Sequence, residues 1–418
     1  MNFRKFFALL LVLSLCSALF SGCTGGFDPA DYGVNDVTIL ENYAVTEAHP
    51  EDDAMSAIIA IDGNKEPLLT NREFQIYYWL EFYDFMNYYG SYASYFGLDF
   101  TTPLAGQTSM VENRSWEQYF LESATQHYTE NYALSQLALS NGHTLSEEDE
   151  AQIADISDPE GEFAKSAAEN GFESSLAYLQ MNFGEGTDIA SYQSYLRTYY
   201  TAYDYYNEQA ELIETSTTDE AIEEYYLANE ASYVEKRLLN VNNVTVRHIL
   251  ITPEEKDESG NFTEGALTLA RKQIDGIYAD WQTNPTEEYF AQLATENSAD
   301  TGSVETGGLY EDFDSDDMVE AFAQWCFDQS RQPGDTGIVE TEHGYHLIYF
   351  VEQTETRGWM DTVREDMVYE QMDAMVAEAV ESYPVYFDYS KVVIFDMITM
   401  AAEAEAESSS SEAPEASG

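Results

Sequence analysis

The sequence predicts an α+β protein in which a small domain of strands and helices interrupts a mainly helical one. Three observations carry this. The segments on both sides of the middle block repeat aromatic and aliphatic residues at helical spacing. After Leu238 the pattern changes to alternating runs, "NNVTVRHILIT" and "TGIVETEHGYHLIYFVEQ", which read as strands. The length, 418 residues, allows two to three domains and a large buried core.

In chain order, "MNFRK" is a positive leader and "FFALLLVLSLCSALF" an apolar run too short for a comfortable membrane span. "LFSGC" follows and resembles the lipobox of bacterial lipoproteins. The expectation is a signal peptide over 1–22 and a lipid on Cys23, with anchoring through buried CH₂ groups. Residues 23–55, rich in Gly, Asp and Ala, read as a tether. A helical domain then spans 56–236. It opens with one short strand and a turn at Asp62-Gly63. Thr70 and Glu73 form a capping box ahead of a helix carrying Phe74, Tyr78, Phe82, Phe85 and Tyr89. Ser115 and Gln118 cap a second helix that stops at Asn141-Gly142. Shorter helices lead to a long one bearing Tyr192, Tyr195, Tyr199, Tyr203 and Tyr206, and Thr217 with Glu220 caps the next.

The middle domain runs from 238 to 356: a strand, two helices, a shorter third helix in "SDDMVEAFAQWCFD", and two strands around Glu342-His343-Gly344. Helix returns over "WMDTVREDMVYEQMDAMVAEAVESY", and "VYFDYSKVVIF" reads as a closing strand, so 357–398 completes the helical domain. Residues 399–418 lack apolar bulk and read as a disordered acidic tail.

Asp and Glu number 78 against 17 Lys and Arg, a net charge of −61. This argues against nucleic-acid binding, which needs a basic footprint. Cys16 would leave with the leader and Cys23 would be lipidated, so Cys326 has no intramolecular disulfide partner and reads as a small buried hydrophobe. Asp312, Asp314 and Asp316 have calcium-loop spacing. Asp317 stands where the loop's Gly belongs and Ala323 where its distal Glu belongs, so no such site is expected. No metal or cofactor is expected.

Five segments in order, "VRHILIT", "FAQLATENSADT", "GGLYEDF", "MVEAFAQWCF" and "PGDTGIVETEHGYHLIYF", resemble a parvulin, the small peptidyl-prolyl isomerase domain. The whole chain is similar to the extracytoplasmic foldase lipoproteins of Gram-positive bacteria, the PrsA type. The resemblance implies a small antiparallel sheet with surrounding helices, inserted into a helical chaperone-like domain. It matches the family's two strand histidines with His248 and His346. Asp300 falls at the position that is Cys or Asp in the family, and these three are the expected catalytic set. Leu309, Met318 and Phe322 match the proline pocket. Thr341, which steadies the imidazoles, is grouped with them as substrate-binding. His343 falls on an exposed turn. One departure is "GGLY", where many members have Gly-Asp-Leu-Gly.

The residue types suit the chemistry. Rotation about X-Pro breaks amide resonance, a barrier of roughly 18–20 kcal/mol. An apolar pocket can hold the ring while an ionised Asp300 weakens the amide's double-bond character. Two histidines in one sheet also suit a purely structural network, and that alternative stays open here. The stretch "TPEEKDESGN" after the first strand is acidic, so phosphopeptides are not the expected substrates. The expected function is a membrane-anchored foldase outside the cell membrane. It would isomerise X-Pro bonds of secreted proteins and hold unfolded chains. The rival readings are a holdase with a vestigial isomerase domain and a solute-binding lipoprotein. A homodimer through the helical domain stays open.

Overall fold

A computed structural model of the chain describes residues 50–99, 102–110 and 114–398. The expected signal peptide, Cys23, most of the tether and the acidic tail lie outside them. The chain forms two compact units. One takes the chain up to Gln209 and resumes at Met372, and the other is Ala210–Gln371.

In the first unit Asp52–Met55 is a helical turn with Met55 only 1% exposed, so the tether ends earlier than expected. Strands β1 (Ile58–Ile61) and β2 (Pro67–Thr70) pair antiparallel, and a two-residue strand, Tyr386–Phe387, pairs with the other side of β1. The helices are α1 (Asn71–Tyr89), α2 (Trp116–Ser140), the short α3 (Glu147–Asp155), α4 (Glu162–Glu169) and α5 (Ser175–Phe183), and α6 (Ile189–Ser216). Thr70 caps α1 by accepting from Glu73 N–H, and Ser115 and Gln118 cap α2 reciprocally. Helix α1 is buried almost all round: Phe74, Tyr77, Tyr78 and Trp79 sit beside Phe120, Leu121 and Tyr195 in one core. The expected closing strand is mostly not a strand. Val392–Phe395, Met397 and Ile398 are buried, and side-chain amides replace part of a ladder partner. Val393 N–H donates to Asn71 Oδ1 at 3.0 Å and Phe395 N–H to Gln75 Oε1 at 2.8 Å. Gln75 Nε2 returns a bond to Val393 O at 2.7 Å.

The second unit begins with the end of α6, then α7 (Asp219–Ala228) and α8 (Glu230–Glu235). The cap of α7 is Thr218, accepting from Ala221 N–H, rather than Thr217. Strand β3 (Val244–Ile251) follows, then α9 (Glu264–Trp281), α10 (Glu287–Asn297), β4 (Leu309–Phe313), α11 (Glu320–Cys326), β5 (Thr336–Thr341), β6 (Gly344–Gln353) and α12 (Trp359–Ser382). Helix α12 continues into the first unit. The strands form one antiparallel sheet, ordered β4-β3-β6-β5.

Period-two alternation gives this sheet two different faces. Ile249, Ile251, Tyr345 and Leu347 pack under α9 and α10 with Ile274, Phe290 and Leu293. Val244, Val246, Ile348 and Phe350 face the other way, against Phe313, Phe322, Cys326 and Phe327. Cys326 is buried, and burial pushes its thiol up, so it packs as a small hydrophobe.

Candidate active site

The sheet register brings the two histidines together. His248 pairs with Ile348, and Leu250 pairs with His346. Residues 248, 346 and 348 share one face, so the imidazoles are diagonal neighbours across β3 and β6. His248 Nδ1 lies 3.1 Å from His346 Nδ1, with the rings stacked at 5.4 Å. Both residues are buried.

Asp300 comes from the loop after α10, and backbone bonds pin that loop to β3. Ala299 N–H donates to Leu250 O at 2.8 Å, and Ser298 Oγ accepts from Leu250 N–H at 3.1 Å and from Asp300 N–H at 3.2 Å. Asp300 Oδ2 then lies 2.9 Å from His248 Nε2. Tyr310 OH donates to the same oxygen at 2.9 Å, and Ser303 Oγ–H also reaches it. At the far end, Thr341 Oγ1 is 2.8 Å from His346 Nε2 and accepts from His343 N–H at 3.1 Å.

Gly308 explains part of the "GGLY" departure. Its φ is +72°, and a Cβ there would lie 2.1 Å from His248 O. Its own carbonyl accepts from His248 N–H at 2.8 Å. Only glycine fits this approach, and it fixes the backbone that carries His248.

The electrostatics constrain the proton arrangement. The hydrogen bond from His248, opposed by burial and helped by Ser303 and Tyr310, holds Asp300 well below the usual carboxylate range. Burial first, then the neighbouring His248 and His343, lowers His346 to about 3. The carboxylate is therefore ionised and His346 neutral at pH 7. His248 donates from Nε2 to the ionised Asp300, one proton is shared between the two Nδ1 atoms, and Thr341, which already accepts from His343 N–H, can donate to His346 Nε2.

The network forms part of the wall of a cavity of about 460 Å³, which His248, Asp300, Tyr310, Met318, Phe322 and His346 line. Phe322 is edge-on to both imidazoles, at 5.4 and 5.3 Å. Lys256, Phe262, Asp317, Val319, Glu342 and the exposed His343 also line it. Five of the expected site residues thus meet in one place: His248, Asp300, His346, Met318 and Phe322. Two do not line it. Leu309 pairs with Arg247, and Tyr310 pairs with Val246 on the cavity's face of the sheet. Adjacent strand residues point oppositely, so Tyr310 takes the cavity place expected of Leu309. Thr341 touches His346 and acts on the ring, not on the cavity. Sequence reading missed Ser303, which is fully buried, and Tyr310. The signal for Ser303 was its place three residues after Asp300, in a short turn.

Residues 231–354 match the family model described as the PPIC-type PPIASE domain. Among solved structures the chain is similar to the peptidylprolyl isomerase PrsA from Bacillus cereus, at 16% identity over 72% of this chain and 99% of that one, TM-score 0.27. It is also similar to the foldase protein PrsA from Streptococcus pneumoniae, at 14% identity over 71% of this chain and 92% of that one, TM-score 0.27. A SurA-like chaperone from Campylobacter jejuni matches at 19% identity over 52% of this chain and 76% of that one, TM-score 0.24. No curated protein matches. Structural likenesses of this size carry no argument about activity. The family match rests on residues 231–354 alone, and that segment contains the whole histidine–aspartate network: it is a parvulin-type peptidyl-prolyl isomerase domain.

Proposed function

We propose that the protein is a membrane-anchored foldase outside the cell membrane that isomerises X-Pro bonds of secreted chains, with the helical unit holding unfolded segments. The observation that carries the enzymatic reading is an ionised Asp300, held by His248, Ser303 and Tyr310, beside an aromatic and aliphatic wall. A pyrrolidine ring seats against Phe322 and Met318, away from water. In the planar amide the carbonyl oxygen carries excess negative charge, and in the twisted state much of it returns to nitrogen. A fixed carboxylate near that oxygen disfavours the planar state more than the twisted one. No bond to the protein forms, and uncatalysed exchange on a scale of about 10–100 s leaves room for this assistance.

His248, Asp300 and His346 are the proposed catalytic set. Met318 and Phe322 bind the proline, and Thr341 orients His346. The test is isomerisation of a proline peptide by the full chain. His248→Ala and Asp300→Asn are expected to slow it by about a hundredfold. Unchanged rates would leave a holdase. Exposed tyrosines of the helical unit, Tyr88, Tyr92 and Tyr95, favour a holding role beside catalysis.

The anchor rests on the lipobox-like "LFSGC". Among the described residues no helix is long and apolar enough to cross a membrane. Incorporation of a labelled fatty acid, abolished by Cys23→Ser, would support lipidation, and label retained in that variant would reject it.

A further inference from the structure

Hydrogen bonds are distributed unevenly over the Asp300 carboxylate. Oδ2 takes three: from His248 Nε2–H at 2.9 Å, from Tyr310 OH at 2.9 Å, and from Ser303 Oγ–H. Oδ1 has one long contact, from Gly302 N–H at 3.4 Å. The three donors come from β3, from β4 and from the turn between α10 and β4, so they arrive from different directions. One donor would let the carboxylate turn about its Cβ–Cγ bond, whereas three fixed donors prevent that. Oδ2 is saturated, and Oδ1 is the oxygen left for a bound peptide.

Tyr310 is held as firmly as the group it holds. Strand pairing sets its backbone opposite Val246, and its ring lies 5.0 Å from His248 and 6.3 Å from Phe313. We propose that Tyr310, assisted by Ser303, is a positioning residue for the isomerase reaction: it locks Asp300 so that Oδ1 faces the rotating X-Pro amide. This rests on the reading of Asp300 as the working carboxylate. The phenol stays a donor because burial, and then the Asp300 charge, push it up to about 12. The other charged or titratable groups around the cavity are His346, Lys256, Asp317, Glu342 and His343.

The test compares the full chain with Tyr310→Phe, which removes only the hydroxyl, and with Ser303→Ala as a second variant. Two readouts are taken: isomerisation of an Ala-Pro peptide, and the ¹³C titration of the Asp300 carboxyl. Tyr310→Phe is expected to lower kcat about tenfold, as loss of one charge-assisted bond does, with KM unchanged. The Asp300 carboxyl should titrate at higher pH in both variants. In an Asp300→Asn background, Tyr310→Phe should cost nothing further. Full additivity with Asp300→Asn, or an unmoved carboxyl titration, would overturn the proposal. If Asp300→Asn itself isomerises normally, the catalytic reading falls, and the carboxyl titration alone decides whether Tyr310 positions Asp300.

Discussion

Among the described residues each unit holds a largely buried histidine–carboxylate pair. In the helical unit His127 Nδ1, on α2, lies 2.6 Å from Glu81 Oε1, on α1, and Ser123 donates to the other Glu81 oxygen. In the isomerase unit His248 meets Asp300 at 2.9 Å. The chemistry of each pair is similar and the surroundings are not. His127 is edge-on to Tyr77 at 5.6 Å, inside a helical core. His248 passes its bonding on to His346 and Thr341, and its pair opens on the 460 Å³ cavity. A histidine–carboxylate contact away from bulk water is thus no mark of a site by itself. The mark is a pair with one edge turned to a space that a substrate can fill.

The largest effects should separate the two pairs cleanly. His127→Ala leaves Glu81 buried without its partner, which is expected to cost about 3–5 kcal/mol of stability. Urea denaturation of the helical unit would show this, while isomerisation by the folded protein stays at the wild-type rate. Asp300→Asn should do the reverse. The amide oxygen still accepts from His248, Ser303 and Tyr310, so stability changes little, and turnover falls about a hundredfold. Equal losses of stability in both variants would erase the contrast.

How much of this contrast was legible beforehand depends on how local each signal is. The alternation of "VRHILIT" and "GYHLIYF" fixes which residues share a face, so the meeting of His248 and His346 follows once the strands are neighbours. Asp300 was reached only through family resemblance. Strand β4 was not read, because "LYEDF" has too few alternating apolar residues, and its pairing with β3 is non-local. Leu309 was reached through the family resemblance, and the register of β4 puts Tyr310 on the cavity's face instead. The end of the helical unit failed for a related reason: "VYFDYSKVVIF" looks strand-like, yet Asn71 and Gln75, more than three hundred positions away, bond the backbone of Val393 and Phe395. Buried amide side chains of that kind leave no periodic trace.

A smaller effect would sharpen the role of the apolar wall. Phe322→Leu keeps a hydrophobe but removes the edge that both imidazoles share. Stability should fall by about 1–2 kcal/mol, as for a partial large-to-small exchange at a buried site. KM for a proline peptide should rise by about threefold, since part of the ring contact is lost, with kcat nearly kept. A fall in kcat with KM unchanged would place Phe322 behind the imidazoles rather than against the substrate.

A last expected effect is a pair of opposed pH slopes. In the helical unit burial lowers His127, and the Glu81 bond and charge more than reverse this, leaving it raised above 6.5. Burial also raises Glu73 to about 7. Both groups hold protons more tightly when folded. The stability they add is complete below their ordinary values, 6.5 and 4.5, and is lost as pH rises through the folded ones. His346 has the opposite sign. Its folded value is about 3 against 6.5, so its contribution is complete above 6.5 and drains away as pH falls toward 3. Asp314, raised to about 6 by burial and its acidic neighbours, opposes His346 over part of that range. The clean measurement is therefore a difference: hydrogen exchange in each unit as a function of pH, for wild type, His127→Gln and His346→Gln. Removing His127 should flatten the loss on raising pH in α1 and α2. Removing His346 should flatten the loss on lowering pH in β3 and β6. If the His346 variant changes only the alkaline side, the ring is charged in the folded protein, and Thr341 cannot donate to a neutral His346.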